Sequence, residues 1–148
     1  MDRLVVFLAS GAYVGYVPVA SGTFGSLLAL PLLIALDRSG WSAAVVVVLL
    51  AVASVLAMVI AGRASRIYGV HDSSRIVIVE VCGMTIAGAL MPPTVWNLTL
   101  AFLVFRFFDI VKPFPAGYFD RDVKNGMGVV TDDLIAGVYA NLVVRVLT

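Results

Sequence analysis

Long stretches without a charged residue constrain this chain more than any other feature of its sequence. No Asp, Glu, Lys or Arg occurs in the ranges 4–36 and 39–62, and Glu80 is the only one in 76–105. Charge-free apolar stretches of about eighteen or more residues are typical of helices that cross a bilayer. Charged residues make up only 13% of the chain, against about 25% in soluble proteins. We therefore predict an all-α integral membrane protein.

The apolar stretches predict a bundle of about four to six helices, and the length of 148 residues predicts one membrane-embedded domain over residues 1–148. The clearest span is Trp41–Gly62, which would extend roughly 33 Å as a helix. Further helices are expected at 76–91, at 94–111 before Pro113, and from Asp132 to the end of the sequence.

The first charge-free stretch is interrupted by glycine and proline residues, which predict a broken or re-entrant path. We expect an irregular or half-inserted segment to about Val19, a loop at "SGTFGS" (21–26), and a short helix over Leu27–Leu36. The glycine-flanked hydroxyl groups of that loop could form a cradle for an anion, although a plain loop is the more common use of such a pattern.

Basic residues are concentrated in two of the predicted loops. The segment 63–75 carries three arginines, and the segment 112–132 carries Lys112, Arg121 and Lys124. The positive-inside rule places both segments in the cytoplasm. No basic run is long enough to indicate binding of nucleic acid, so we expect no nucleic-acid partner.

Three polar groups stand out because charge is so scarce. Arg106, Asp109 and Lys112 recur every three residues, so a helix would place them in one stripe that holds a metal ion and an anion, or that forms a ladder of ion pairs. Asp132 and Asp133 come where a helix is expected to start, so they are either N-caps or ligands of a cation.

Glu80 is expected to share a helix face with Gly83 and Ala87, where a neighbouring helix packs closely. Its carboxylate could form a buried ion pair with Arg106 or Arg75, or it could serve the function directly.

Two classes of phosphatase do not fit the sequence. His71 is the only histidine, which excludes a two-histidine phosphatase. Cys82 lacks the arginine six residues later that a cysteine phosphatase uses. The clustered acids instead indicate metal-assisted phosphoryl transfer at a membrane surface.

Five motifs resemble those of the phosphatidylglycerophosphatase A family, in the order of that family. They are "GTFGS" (22–26), "GVHD" (69–72), "IV-x-x-E-x-x-GM" (76–84), "FRFFDIVKPFP" (105–115) and "FDRDVKNGMGVVTDDLIAG" (119–137). The resemblance implies a helical, Mg²⁺-dependent phosphatase of the bacterial inner membrane with its active site facing the cytoplasm. It would convert phosphatidylglycerophosphate to phosphatidylglycerol and phosphate, a step of phospholipid biosynthesis.

The resemblance also implies which residues form the site. The four acids would be catalytic and bind the metal: Glu80, Asp109, Asp132 and Asp133. The phosphate would be bound by Arg106 and Lys112, and the site would be lined by Thr23, Ser26, His71 and Asp72.

One position departs from the family pattern around Glu80. The pattern reads Asp-Glu, whereas this chain has Val79-Glu80. The alternative is therefore a catalytically weakened or silent homologue that still binds lipid.

Overall fold

The structure is a computed structural model that describes residues 2–70, 73–116 and 126–148. Within these ranges it contains six α-helices, one 3-10 helix (Val14–Tyr16) and no strand. The α-helices are α1 (Asp2–Ala9), α2 (Ser21–Arg38), α3 (Ala43–Tyr68), α4 (Ile78–Gly88), α5 (Val95–Val111) and α6 (Gly126–Leu147). The prediction of an all-α bundle is confirmed for the described part of the chain.

Helix α4 lies at the centre of the bundle, between two buried apolar clusters. The first cluster joins α4 to α2, α5 and α6, with Met84 and Phe105 as its largest buried side chains. The second joins α4 to α1, α3 and α6 and consists mainly of alanine and valine. Both sides of α4 are therefore packed against other helices, and this packing fixes the position of Glu80.

Glycine residues allow α4 and α6 to touch backbone to backbone. A Cβ atom on Gly83 would lie 2.7 Å from the carbonyl oxygen of Asp133, and a Cβ atom on Gly137 would overlap the carbonyl oxygen of Gly83. Small residues at a helix crossing permit this close approach. The crossing lies one turn from Glu80 on α4 and at Asp133 on α6, so it fixes the distance between these two acids.

Helix α3 is the one helix in the described ranges that is long and apolar enough to cross a membrane. Ser42 caps its start by accepting a hydrogen bond from the Val45 backbone N–H. Small residues of α3, Ala57 and Ala61 among them, are buried against the bundle. Its larger apolar side chains are exposed: Val45, Val47, Val48, Leu49, Val52, Val55, Leu56 and Val59. The helix is longer than the predicted span, since it continues past Gly62 to Tyr68.

The N-terminal stretch is broken as predicted, but its first part forms the regular helix α1, and the loop predicted at residues 21–26 is wrong. The chain turns through residues 11–13, which all have positive φ, and α2 then begins at Ser21 rather than Leu27. The glycines that predicted a loop serve close packing instead: a Cβ atom on Gly25 would lie 2.7 Å from the Cβ of Val77. The Ser26 hydroxyl donates to the Gly22 carbonyl oxygen (2.9 Å), within the helix.

The predicted boundaries are correct for α5 and wrong for the start of α6. Helix α5 matches its prediction, because Thr94 caps its start and Pro113 follows its end. Helix α6 starts at Gly126, not at Asp132 as predicted. Asp132 and Asp133 therefore lie inside a helix, and their interpretation as N-caps is wrong.

Candidate functional site

A cavity of about 650 Å³ opens between the 3-10 helix, the start of α2, the segment before α4, and α5. Three residues predicted from the sequence, Glu80, Arg106 and Asp109, line it together. Its other polar lining comes from Ser21, Ser74 and Arg75. The cavity is thus the place where helices far apart in sequence bring acids and arginines to one surface.

Gly22 makes room for the charged groups on the α2 side of the cavity. A Cβ atom at this position would lie 2.6 Å from Glu80 Oε1 and 3.3 Å from Arg106 Nη1. A side chain there would displace one of the two groups. The start of α2 is therefore a wall of the site. Thr23 follows in the first turn and is half-buried, while Ser26 is fully buried.

Two ion pairs connect α5 and its end to the acids. Arg106 forms a salt bridge with Asp109, one turn away on α5. Lys112 Nζ lies 2.6 Å from Asp132 Oδ2 on α6. Lys112 has a left-handed backbone (φ 47°) just after the helix ends, so the predicted continuous stripe of three residues on one helix is wrong. The lysine reaches across to α6 instead.

The four predicted acids form a loose cluster, in which Glu80 and Asp109 line the cavity and Asp132 and Asp133 do not. Asp132 and Asp133 are both 4% exposed. The Asp133 carboxyl group lies close to that of Asp109, and the charges of Glu80 and Asp132 also act on it. Concentrating acids in a buried place is costly unless their charge is offset, so this cluster is a candidate functional site rather than ordinary core.

The donor chemistry of this cluster suits a magnesium ion. Carboxylate oxygens are the ligands that Mg²⁺ prefers, and the cluster holds four carboxyl groups against the cationic groups of Arg106 and Lys112. A divalent cation would offset this excess of acid. In the described ranges, however, no three His, Cys, Asp or Glu side chains already converge as they do around a metal ion. His71 and Asp72 lie outside the described residues.

Val79 lies in a different environment from its neighbour Glu80. It is 4% exposed and belongs to the apolar cluster that includes Ala61, Ala64 and Val130. It is not among the residues that line the cavity.

The sequence does not predict one group beside the cavity, a cluster of Arg75 with two tyrosines. The Arg75 guanidinium lies 5.1 Å from the ring centroid of Tyr16 and 5.7 Å from that of Tyr68. These residues come from three separate segments, so no local pattern joins them. The one available signal was that Arg75 is the cation directly before the apolar stretch that contains Glu80.

The chain matches known proteins over nearly its whole length. Residues 7–148 match the family model described as Phosphatidylglycerophosphatase A. A Haemophilus influenzae protein named Phosphatidylglycerophosphatase A is 39% identical over 139 residues, which are 93% of this chain and 84% of the relative. The Escherichia coli protein of the same name is 36% identical over 132 residues, 88% of this chain and 76% of the relative.

A third relative carries a different name. A Bacteroides thetaiotaomicron protein, provisionally named a phosphatidylinositol-3-phosphatase, is 36% identical over 152 residues, which cover 97% of this chain and 92% of the relative. No solved structure matches this chain.

Proposed function

Because this chain belongs to the phosphatidylglycerophosphatase A family, we propose that it is a Mg²⁺-dependent phosphatase of phosphatidylglycerophosphate. The products would be phosphatidylglycerol and inorganic phosphate, in the biosynthesis of phospholipids. The observation that carries this proposal is the cluster of four acids beside Arg106 and Lys112. Such a cluster provides both ligands for a metal ion and cations for a phosphate group.

Each charged residue has a role that follows from its position. Arg106 lines the cavity, and its planar guanidinium suits a phosphate with two parallel hydrogen bonds. Lys112 would contribute a second positive charge to the same phosphate. On arrival, the phosphate would compete with Asp109 and Asp132 for these cations, and it would leave the two carboxylates available to other ligands.

The acids would hold the metal and direct water. Glu80, Asp109, Asp132 and Asp133 supply the carboxylate oxygens, and a bound Mg²⁺ would polarise the phosphate oxygens. One carboxylate would accept a proton from the attacking water. The water oxygen forms a bond to phosphorus, the bond between phosphorus and the glycerol oxygen breaks, and a proton passes to the released alcohol.

We further propose that the protein crosses the bacterial inner membrane several times, with its site facing the cytoplasm. The exposed apolar side chains of α3 support a lipid environment. Arg63, Arg66 and Arg75 lie towards the end of α3 that leads to the site, which agrees with the positive-inside rule.

The position of Val79 supports an active enzyme over the silent homologue. Val79 packs in the apolar cluster with α3, whereas the four acids cluster around Asp109 and Asp133. An aspartate at position 79 would therefore lie among apolar side chains and not in the lining of the cavity that holds Glu80.

Phosphate release from phosphatidylglycerophosphate, with and without Mg²⁺, tests the proposal directly. We expect purified protein to release phosphate only when Mg²⁺ is present, and Asp133→Asn to abolish the release. Asp37→Asn is the matched control, because Asp37 is an exposed acid at the far end of α2 and its change should leave the rate unaltered. No release at any Mg²⁺ concentration would overturn the proposal for this chain.

A further inference from the structure

We infer that Arg75, held by Tyr16 and Tyr68, binds a second phosphate group of the substrate and so selects lipids whose headgroup carries two phosphates. The inference rests on the proposed phosphatase function and deepens it. Phosphatidylglycerophosphate has a terminal phosphomonoester, which is cleaved, and an internal phosphodiester, which is kept. Arg106 and Lys112 are assigned to the first group, and Arg75 is assigned to the second.

The backbone around Arg75 is fixed by contacts from two other segments. Gly15 lies so close to the Arg75 carbonyl group that a Cβ atom would overlap it. The Ser21 hydroxyl donates to the Ser74 carbonyl oxygen (2.7 Å), and the Val77 N–H donates to the Ala9 carbonyl oxygen (2.9 Å). An arginine on a clamped backbone loses less entropy when it binds a ligand than one on a loose loop.

Two tyrosine rings hold the Arg75 side chain. The guanidinium is 5.1 Å from the Tyr16 ring centroid and 5.7 Å from that of Tyr68, and the two phenol groups are hydrogen-bonded at 3.2 Å. An aromatic ring attracts a guanidinium through the face of the ring and leaves the N–H groups available as donors. The tyrosines therefore orient the cation without neutralising its charge.

Arg75 differs from the other two cations of the site in its partners. Arg106 and Lys112 both lie against acids, whereas the Arg75 guanidinium forms no salt bridge with any carboxylate in the described ranges. It lines the same cavity as Arg106 and Asp109. A cation that is oriented, lines the cavity and pairs with no acid of the described ranges is suited to an anionic part of the substrate.

The names of the relatives agree with a substrate of this chemistry. Phosphatidylglycerophosphate and phosphatidylinositol 3-phosphate both carry a phosphomonoester on a headgroup that is attached through a phosphodiester. Phosphatidic acid carries only the phosphomonoester. A residue that recognises the phosphodiester would favour the first two lipids and would be indifferent to the third.

The test compares Arg75→Gln with the parent chain on phosphatidylglycerophosphate and on phosphatidic acid, in the same mixed micelles. We expect KM for phosphatidylglycerophosphate to rise about tenfold, the usual effect of losing a hydrogen bond to a charged group, with kcat within about twofold. KM for phosphatidic acid should stay unchanged. Arg75→Lys keeps the charge and should restore part of the affinity for the lipid with two phosphates.

Arg63→Gln is the matched control for a general attraction to the membrane surface. Arg63 is exposed near the same end of α3 but does not line the cavity. If Arg75 merely anchored the protein to anionic lipid, both variants would affect both substrates alike. That result would overturn the inference, as would an equal loss on both substrates with a lower unfolding temperature.

Binding without turnover separates this inference from the proposed function. Equilibrium binding of fluorescent phosphatidylglycerophosphate and fluorescent phosphatidic acid is measured in the absence of Mg²⁺. If the parent chain releases no phosphate from any lipid, the proposed function fails. Weaker binding of only the lipid with two phosphates by Arg75→Gln would still support the role of Arg75, and equal binding by parent and variant would overturn it.

Discussion

Val79 and Glu80 are neighbours on α4, yet they point into regions with opposite chemistry. Adjacent helical residues point about 100° apart. Glu80 lies against Gly22 in a cavity with Arg106, while Val79 is packed among alanines of α3. One helix thus separates a region built for charge from a region built for packing. A change on one face should affect catalysis, and a change on the other should affect stability.

The sharpest test of the charged face is Glu80→Gln. The amide keeps the shape of the side chain but removes the negative charge that a metal ion or an activated water requires. We expect phosphate release to fall about 1,000-fold, as when a group that stabilises the transition state is removed, or about 4 kcal/mol in the barrier. The unfolding temperature in detergent should change little.

Glu80→Gln would give the opposite pattern if the carboxylate had only a structural role. A buried ion pair loses stability when one partner is neutralised. A large fall in unfolding temperature with unchanged kcat would therefore show that both faces of α4 serve stability, and it would contradict the catalytic role of Glu80.

The packing face is tested by Val79→Asp, which also introduces the residue of the family pattern. A carboxylate among Ala61, Ala64 and Val130 would be buried among apolar groups. We expect the free energy of unfolding to fall by about 3 kcal/mol and phosphate release not to rise. Denaturant titration in detergent and the phosphate assay measure the two effects.

Val79→Thr is the control for this substitution. It has nearly the same shape, and its hydroxyl can bond to a carbonyl of its own helix, so it should cost less than the aspartate. If Val79→Asp instead raised phosphate release without loss of stability, position 79 would belong to the site and the two faces would not be distinct.

Gly22→Ala should give the smallest effect. The new methyl group would lie 2.6 Å from Glu80 Oε1, so the carboxylate must shift. We expect kcat/KM to fall about tenfold, since small displacements in a site lower the rate substantially. Gly40→Ala is the control: its Cβ meets no atom within 4 Å, but its φ of +64° strains an alanine. It should lower stability and leave kcat/KM unchanged.

Local signals in the sequence predicted much of the fold. Helix α5 follows its cap at Thr94 and its stop at Pro113, and the scarcity of charge alone singles out the four acids. The ends of α5 are set by residues close to them in the sequence, and the acids stand out because charged residues are rare. Both can be recognised without knowledge of the tertiary structure.

Tertiary contacts explain the features that could not be predicted. Gly22 and Gly25 resemble loop residues, but their use is close packing against Glu80 and Val77, which no local pattern reveals. The early start of α6 likewise places Asp132 inside a helix. The cluster of Arg75, Tyr16 and Tyr68 depends on packing between three segments, so sequence spacing gives no indication of it.

The length of α3 has a consequence for the height of the site above the membrane. Its 26 residues extend about 39 Å, whereas the hydrocarbon core is about 30 Å thick. A helix that crosses upright from Ala43 therefore projects by about six residues, which carry Arg63 and Arg66 and end at Tyr68. In the proposed topology, these last residues would place the Tyr68 ring, which lies beside Arg75, near the level of the lipid phosphates. A lipid substrate would then present its headgroup to the site while its acyl chains stay in the bilayer.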